Sequence, residues 1–206
     1  MPDSAAAALV LHSLDLLRRK PRYLGDRRDG YAFSPQCEGD LHSSFDLHEC
    51  IRNAVSMISE QLSHCGIRLK LQFDQAIQPI TGNTNRFEQV ILNMLVNSKD
   101  AIEEKKKVLK DDFRKSIRIK TCLEDHMIRI FVRDNGIGIR EEDLEKVLMP
   151  FYSTKQQGHG TGLGLSISYG IIKDMHGTLV IKSKHTIGTT LKITLPVQSV
   201  QADYNV

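Results

Sequence analysis

Apolar residues recur along the chain at two spacings, one near the helical period and one alternating, and each spacing predicts an element. Ala7, Val10, Leu11, Leu14 and Leu17 share one face, so Ala5 to Lys20 reads as a helix. Arg18, Arg19 and Lys20 suit its C-terminal end, and Pro21 stops it. Asp46 caps a second amphipathic helix that turns Leu47, Ile51, Val55, Ile58 and Leu62 inward. The run Ile67–Phe73 alternates strictly and predicts a strand. Arg86 to about Leu109 predicts a long helix with an apolar arc of Phe87, Val90, Ile91, Met94, Leu95 and Ile102. Ser116–Cys122 and Met127–Val132 alternate on either side of Leu-Glu-Asp-His and read as a hairpin. A helical pattern follows Gly164, and a last strand pair, Thr178–Ser183 and Thr189–Leu195, flanks a turn near Gly188.

The segments between these elements are polar or rich in turn formers. Residues 22–44 read as a linker, Gln78 to Asn85 as a turn, and the tail beyond Pro196 has no pattern. The chain thus divides into an N-terminal helix (1–21), a linker (22–44), one domain (45–197) and a tail (198–206). Strands outnumber helices and come in hairpins, which predicts an α+β two-layer sandwich and not a doubly wound sheet.

Composition changes this picture little. The net charge is +3 with both signs interspersed, which argues against a nucleic-acid footprint. No apolar run approaches membrane-spanning length, so this segment is expected to make no membrane contact. The N-terminus lacks a basic n-region and a clear cleavage site and is not read as a signal peptide. The four cysteines, Cys37, Cys50, Cys65 and Cys122, form no Cys-x-x-Cys pair, and reduced cytosolic thiols are expected.

Candidate chemistry gathers on the long helix and on Arg133–Ser168. Asn93 and Asn97 lie one turn apart, on a polar stripe with Gln89, Asp100 and Glu104. Asn goes against propensity inside a helix, and a lone one would read as a solvated surface residue. A pair beside a Gly-rich loop offers neutral, hard oxygen ligands of the kind that suits Mg2+ together with substrate phosphates. Asp134 ends a strand and is followed by Asn135-Gly136-Ile137-Gly138. Alone this is a turn. Ionised, the carboxylate can accept from an exocyclic amine, as adenine offers, and Gly136 and Gly138 allow a flat ligand close to the backbone. Gly160-Thr161-Gly162-Leu163-Gly164 runs directly into a helix, whose free N–H groups can hold an anion. No Gly-Lys-Ser/Thr follows, so it is not a P-loop. Lys155 precedes the loop and reads equally as a phosphate contact or a solvated lysine.

These motifs together resemble the catalytic and ATP-binding domain of bacterial sensor histidine kinases, in the superfamily that includes gyrase, the Hsp90 chaperones and MutL. NRFEQVILNMLVNSKDAI (85–102) looks like the N box, DNGIGI (134–139) the G1 box, PFYSTK (150–155) the F box and GTGLGLSIS (160–168) the G2 box. GTTLKITLP (188–196) matches the family's closing strand, and the details of FYSTK and DAI look most like the nitrogen-sensor branch. The resemblance spans roughly Phe45 to Pro196 and implies a Bergerat-type ATP-binding fold, a mixed sheet covered on one face by helices, with Mg2+ and ATP as cofactors. It implies that Asn97 holds Mg2+ and Asn93 supports the phosphates. It implies that Asp134 binds the adenine amino group beside Gly136 and Gly138, with Thr189 or Thr190 helping to fix the ring. Phe151 would anchor an ATP lid, Tyr152 to Thr161. Gly160, Gly162, Leu163, Gly164 and Leu165 would bring N–H groups to the phosphates.

The implied activity is transfer of the ATP γ-phosphate to a histidine on a separate dimerisation domain, then to a response regulator receiver domain. The implied setting is cytoplasmic, including the cytosolic part of a membrane-bound sensor. Two other readings stand beside it, an anti-sigma-type serine kinase and an ATP-binding regulatory module without transfer. The sequence also departs from the family pattern. Ser98 stands where Ala is usual, and Asp100 where many members carry a cation, which leaves Lys155, Lys99 or Arg86 to meet phosphate charge. None of the eight histidines fits an acceptor motif, and His48-Glu49-Cys50-Ile51-Arg52 only mimics one. The first helix then looks like the end of a dimerisation helix, or an ordinary helix docked on the domain.

Overall fold

A five-stranded sheet, a small two-stranded sheet and three α-helices form the domain among the described residues of the chain. This computed structural model describes residues 43–110, 113–155 and 161–197. The expected N-terminal helix, nearly all of the linker and the tail lie outside the described residues.

Helix α1 (Leu47–His64) begins where expected, with the Asp46 carboxylate accepting from the N–H groups of His48 at 2.7 Å and Glu49 at 3.0 Å. Leu47, Ile51, Ile58 and Leu62 are buried, while Val55 is half-buried against the same core. Helix α2 (Thr84–Leu109) is capped by the Asn83 side chain, which accepts from the Arg86 N–H at 2.9 Å. Its whole apolar arc, Phe87, Val90, Ile91, Met94, Leu95 and Ile102, is 0% exposed. Full burial stabilises each such side chain by about 1.5–3 kcal/mol, which makes α2 the spine of the core. Helix α2 packs against α1 on one side and against α3 (Gly164–Asp174) on the other.

The sheet contains β2 (Arg68–Gln72), β4 (Ser116–Glu124), β5 (Met127–Asp134), β6 (Thr178–Lys184) and β7 (Gly188–Pro196) in the order β2-β4-β5-β7-β6. β2 pairs parallel with β4, and the other pairings are antiparallel. Ile117, Ile119, Ile128, Ile130, Val132, Leu191, Ile193 and Leu195 line the buried face, as strict alternation demands. The β4–β5 turn places both Asp125 and His126 at positive φ, the two-residue geometry that matches strand twist. β5 therefore lies at the centre, and its last residue is Asp134.

The sequence reading missed one small feature. β1 (Ser43–Phe45) and β3 (Ile80–Gly82) pair antiparallel as a separate two-stranded sheet, in stretches expected to be linker and turn. Cys50, Cys65 and Cys122 are free thiols. No helix among the described residues is long and apolar enough to cross a membrane.

Candidate functional site

The end of β5 delivers Asp134 into a buried corner, where it is 5% exposed. One carboxylate oxygen accepts from the Gly136 N–H at 2.8 Å and the Thr189 N–H at 3.2 Å. The other has only a long contact, 3.5 Å, from the Ser98 hydroxyl on α2, and so keeps acceptor capacity. Burial pushes the Asp134 carboxyl above its ordinary range, opposed by the Gly136 and Thr189 N–H groups, the Ser98 hydroxyl and the charge on Lys105.

The loop after Asp134 is clasped from both sides. Ile137 N–H donates to the Ala101 carbonyl on α2 at 2.9 Å, and Thr186 N–H donates to the Ile137 carbonyl at 2.5 Å. Ser183 ties the same corner together: its hydroxyl accepts from the Ile139 N–H at 2.8 Å and lies 2.9 Å from the Thr189 hydroxyl. Gly136 lies flat on α2, where a Cβ would meet the Ala101 carbonyl carbon at 2.6 Å. Gly138, at φ +74°, would bring a Cβ to 2.3 Å from the Lys184 carbonyl oxygen. The sequence suggested these glycines make room for a ligand; in the structure the protein's own backbone fills the space their missing side chains leave.

Asn93 and Asn97 stand on the stripe of α2 opposite its buried arc. The Asn93 amide donates to the Gly164 carbonyl at 3.2 Å and toward the Ser168 hydroxyl at 3.3 Å, so its oxygen stays available. The Asn97 carboxamide makes no hydrogen bond among the described residues. Two hard, neutral oxygens one turn apart, each uncommitted, fit Mg2+ chemistry. At Gly164, α3 begins with no side-chain cap on its first N–H groups, so its start offers donors to an anion, with Leu163 at the cap position and Leu165 in the first turn. Thr161 accepts from the Leu163 N–H at 3.3 Å. Gly162 accepts through its carbonyl from the Phe151 N–H at 3.0 Å, and its φ of +65° again excludes a side chain. The Phe151 ring is 77% exposed, so backbone rather than ring packing ties this segment to the Gly-rich loop. Gly160 lies outside the described residues.

Of the three cations left open by the sequence, Arg86 pairs with Asp174 at 2.7 Å. That contact lies at the C-terminal end of α3, about 15 Å along the helix from its N-terminus. Lys155 instead reaches α2, with its Nζ 2.5 Å from Asp100. Lys99 is 3.8 Å from the same carboxylate and 3.4 Å from Gln61. His48 is buried, stacked on Phe73 with ring centroids 4.4 Å apart, and its Nε2 lies 3.1 Å from the Thr121 hydroxyl. That burial removes it as an exposed nucleophile. Ser98, Asp100, Ala101 and Ser183 were not singled out as site residues from the sequence. Ser98 stood out only as a departure from a family pattern, Asp100 as such a departure and as part of the polar stripe of the long helix, and Ala101 and Ser183 left no signal.

A cavity of about 260 Å3 has Asp134 in its wall, with Ser183, Ile187, Gly188 and Thr190. A larger one, about 630 Å3, lies among Cys65, Arg68, Lys106, Lys107 and Lys115 and touches none of the residues above.

Comparison with known proteins fits this arrangement. Residues 82–199 match the model of the histidine kinase-, DNA gyrase B- and HSP90-like ATPases. Sporulation kinase E of Bacillus subtilis is 35% identical over 158 residues, covering 77% of this chain and 20% of that protein. The sensor kinase CckA of Brucella abortus is 36% identical over 149 residues, covering 69% of this chain and 16% of its own. The chain thus spans a fifth or less of the length of these curated relatives. The nucleotide-free catalytic domain of the histidine kinase ThkA superposes with a TM-score of 0.64 at 27% identity, over 76% of this chain and 95% of that one. The matched model takes in the long helix, the Asp134 corner and the start of α3, and the chain belongs to the family of histidine kinase-, DNA gyrase B- and HSP90-like ATPases.

Proposed function

We propose that this chain is the Mg-ATP-binding catalytic domain of a sensor histidine kinase, and that it passes the γ-phosphate to a histidine supplied by a separate dimerisation domain. The observation that carries the reading is the buried Asp134 carboxylate, held by two backbone donors and keeping one oxygen for an incoming amine. Adenine offers that amine and guanine does not at the same place. Asp134 selects the base, with Thr189 fixing the carboxylate that reads it. Asn97 and Asn93 are the residues that would hold Mg2+, which supplies charge neutralisation along the phosphates when bound. The N–H groups at the start of α3 and the Lys155 ammonium orient the phosphate chain, so catalysis is positioning and electrostatics. A receiver domain of a response regulator is the proposed final acceptor, by analogy with the sensor kinases this chain resembles.

The test mixes the chain with a histidine-bearing dimerisation domain and γ-labelled ATP. Acid-labile label on the added domain, dependent on its histidine, is the expected result. Acid-stable label would favour a serine kinase. No label on the acceptor, with ATP bound, would leave a regulatory nucleotide-binding module.

A further inference from the structure

The ion pair between Lys155 and Asp100 joins two residues 55 positions apart, one on the segment before the Gly-rich loop and one on α2. Asp100 is one helical turn past Asn97, and the next residue, Ala101, holds the loop after Asp134 through its carbonyl. Lys155 arrives from the other wall, its backbone N–H donating to the Ser153 hydroxyl at 3.2 Å. Each side chain of the pair is 28% exposed, and the 2.5 Å contact is short for a charge-assisted bond. The Lys99 ammonium lies 3.8 Å from the other Asp100 oxygen.

A carboxylate beside a polyphosphate site is an unfavourable neighbour unless a cation stands with it. Here Asp100 has two. One of them, Lys155, is on the segment that leads into the Gly-rich loop. The other, Lys99, is on α2 itself and stays with Asp100 wherever Lys155 goes.

We propose that Asp100 is a positioning residue that holds Lys155 when the phosphates are absent, and that Lys155 exchanges this carboxylate for the phosphate chain of the bound nucleotide. Lys99 takes over the neutralisation of Asp100 after the exchange. The affinity for phosphate is then set by a competition between two anions for one ammonium. This inference rests on the nucleotide-site reading above and adds a residue and a step to it.

The test measures binding of a non-hydrolysable ATP analogue and of adenosine to the full chain by calorimetry. Asp100→Asn removes the competing anion and is expected to tighten the analogue by about two- to five-fold, the range of a partly exposed pair. Adenosine, which has no phosphate, should bind unchanged. Lys155→Gln should weaken the analogue by a similar factor, and Asp100→Asn should give little further gain in that background. Lys155→Arg keeps the charge and should keep the coupling. A gain from Asp100→Asn that is equal for adenosine, or undiminished beside Lys155→Gln, would overturn the exchange, because Asp100 would then act without Lys155. So would an unchanged or weaker analogue affinity in Asp100→Asn. Failure of the parent chain to bind either ligand is a different result, and it would remove the nucleotide site itself.

Discussion

Asp134 shows how one residue can be costly to the fold and, under the proposed assignment, necessary to the site. Burial raises its carboxyl above the ordinary 3.8. Between that value and the higher folded one, the folded chain keeps a proton that the unfolded chain has released. Stability therefore falls as pH rises through the window, and above it the penalty of the buried charge remains. Asp134→Asn keeps an oxygen for the Gly136 and Thr189 N–H groups and removes the charge. Its melting temperature at neutral pH should equal or exceed the parent's, while ATP affinity drops about ten- to hundred-fold, as for loss of a charged hydrogen-bond acceptor. Thermal melts and calorimetry check both halves. His48 gives the opposite pH sign. Burial is the main cause holding its imidazole below the usual 6.5, with nearby Asp46 and Asp74 opposing and Arg52 assisting. As pH falls below 6.5, the unfolded chain binds a proton that the folded chain does not, and stability is lost. His48→Gln should flatten urea-unfolding stability between pH 7 and 5 relative to the parent. At this scale the sequence revealed Asp134 through its motif. It could not reveal the Ser98 contact or the Asp100–Lys155 pair, because lone polar residues far apart in the chain carry no period.

At the scale of elements, α2 serves two functions with two faces. One face is the fully buried arc, and the other bears Asn93, Asn97 and Asp100. Its 3.6-residue period made both faces legible from sequence. Leu95→Ala, at 0% exposure, should lower unfolding free energy by about 2–5 kcal/mol in urea titrations. The β1–β3 sheet was not legible for the complementary reason. Its strands are three residues each, rich in Ser, Thr and Gly, and exist only as each other's partners. No local pattern encodes such a pairing. Strands β2, β4, β5, β6 and β7 alternate cleanly because one face of the sheet meets the helices, and their positions could be read accordingly.

Across the whole molecule, the order of the sheet explains why distant motifs meet. β5 is central, so the loop that leaves it can touch α2 on one side and the β6–β7 turn on the other. The family order of motifs implied this convergence, whereas hydrophobic spacing alone gave only the elements. The chain presents an ATP site but, with His48 buried, no exposed candidate acceptor among the residues that mimic the motif. Incubated alone with γ-labelled ATP, it should gain no acid-labile label, in contrast to the mixture with a histidine-bearing domain. The clasp around Gly138 has a consequence for the order of binding events. Because Ala101, Lys184 and Thr186 already hold that loop, the conformational entropy of shaping this corner is lost during folding and not on encounter with a ligand. A base, under the proposed assignment, meets a rigid seat and can lodge there first. The phosphates then follow as a tethered group at high local concentration, so a weak exchange at Lys155 can still go to completion.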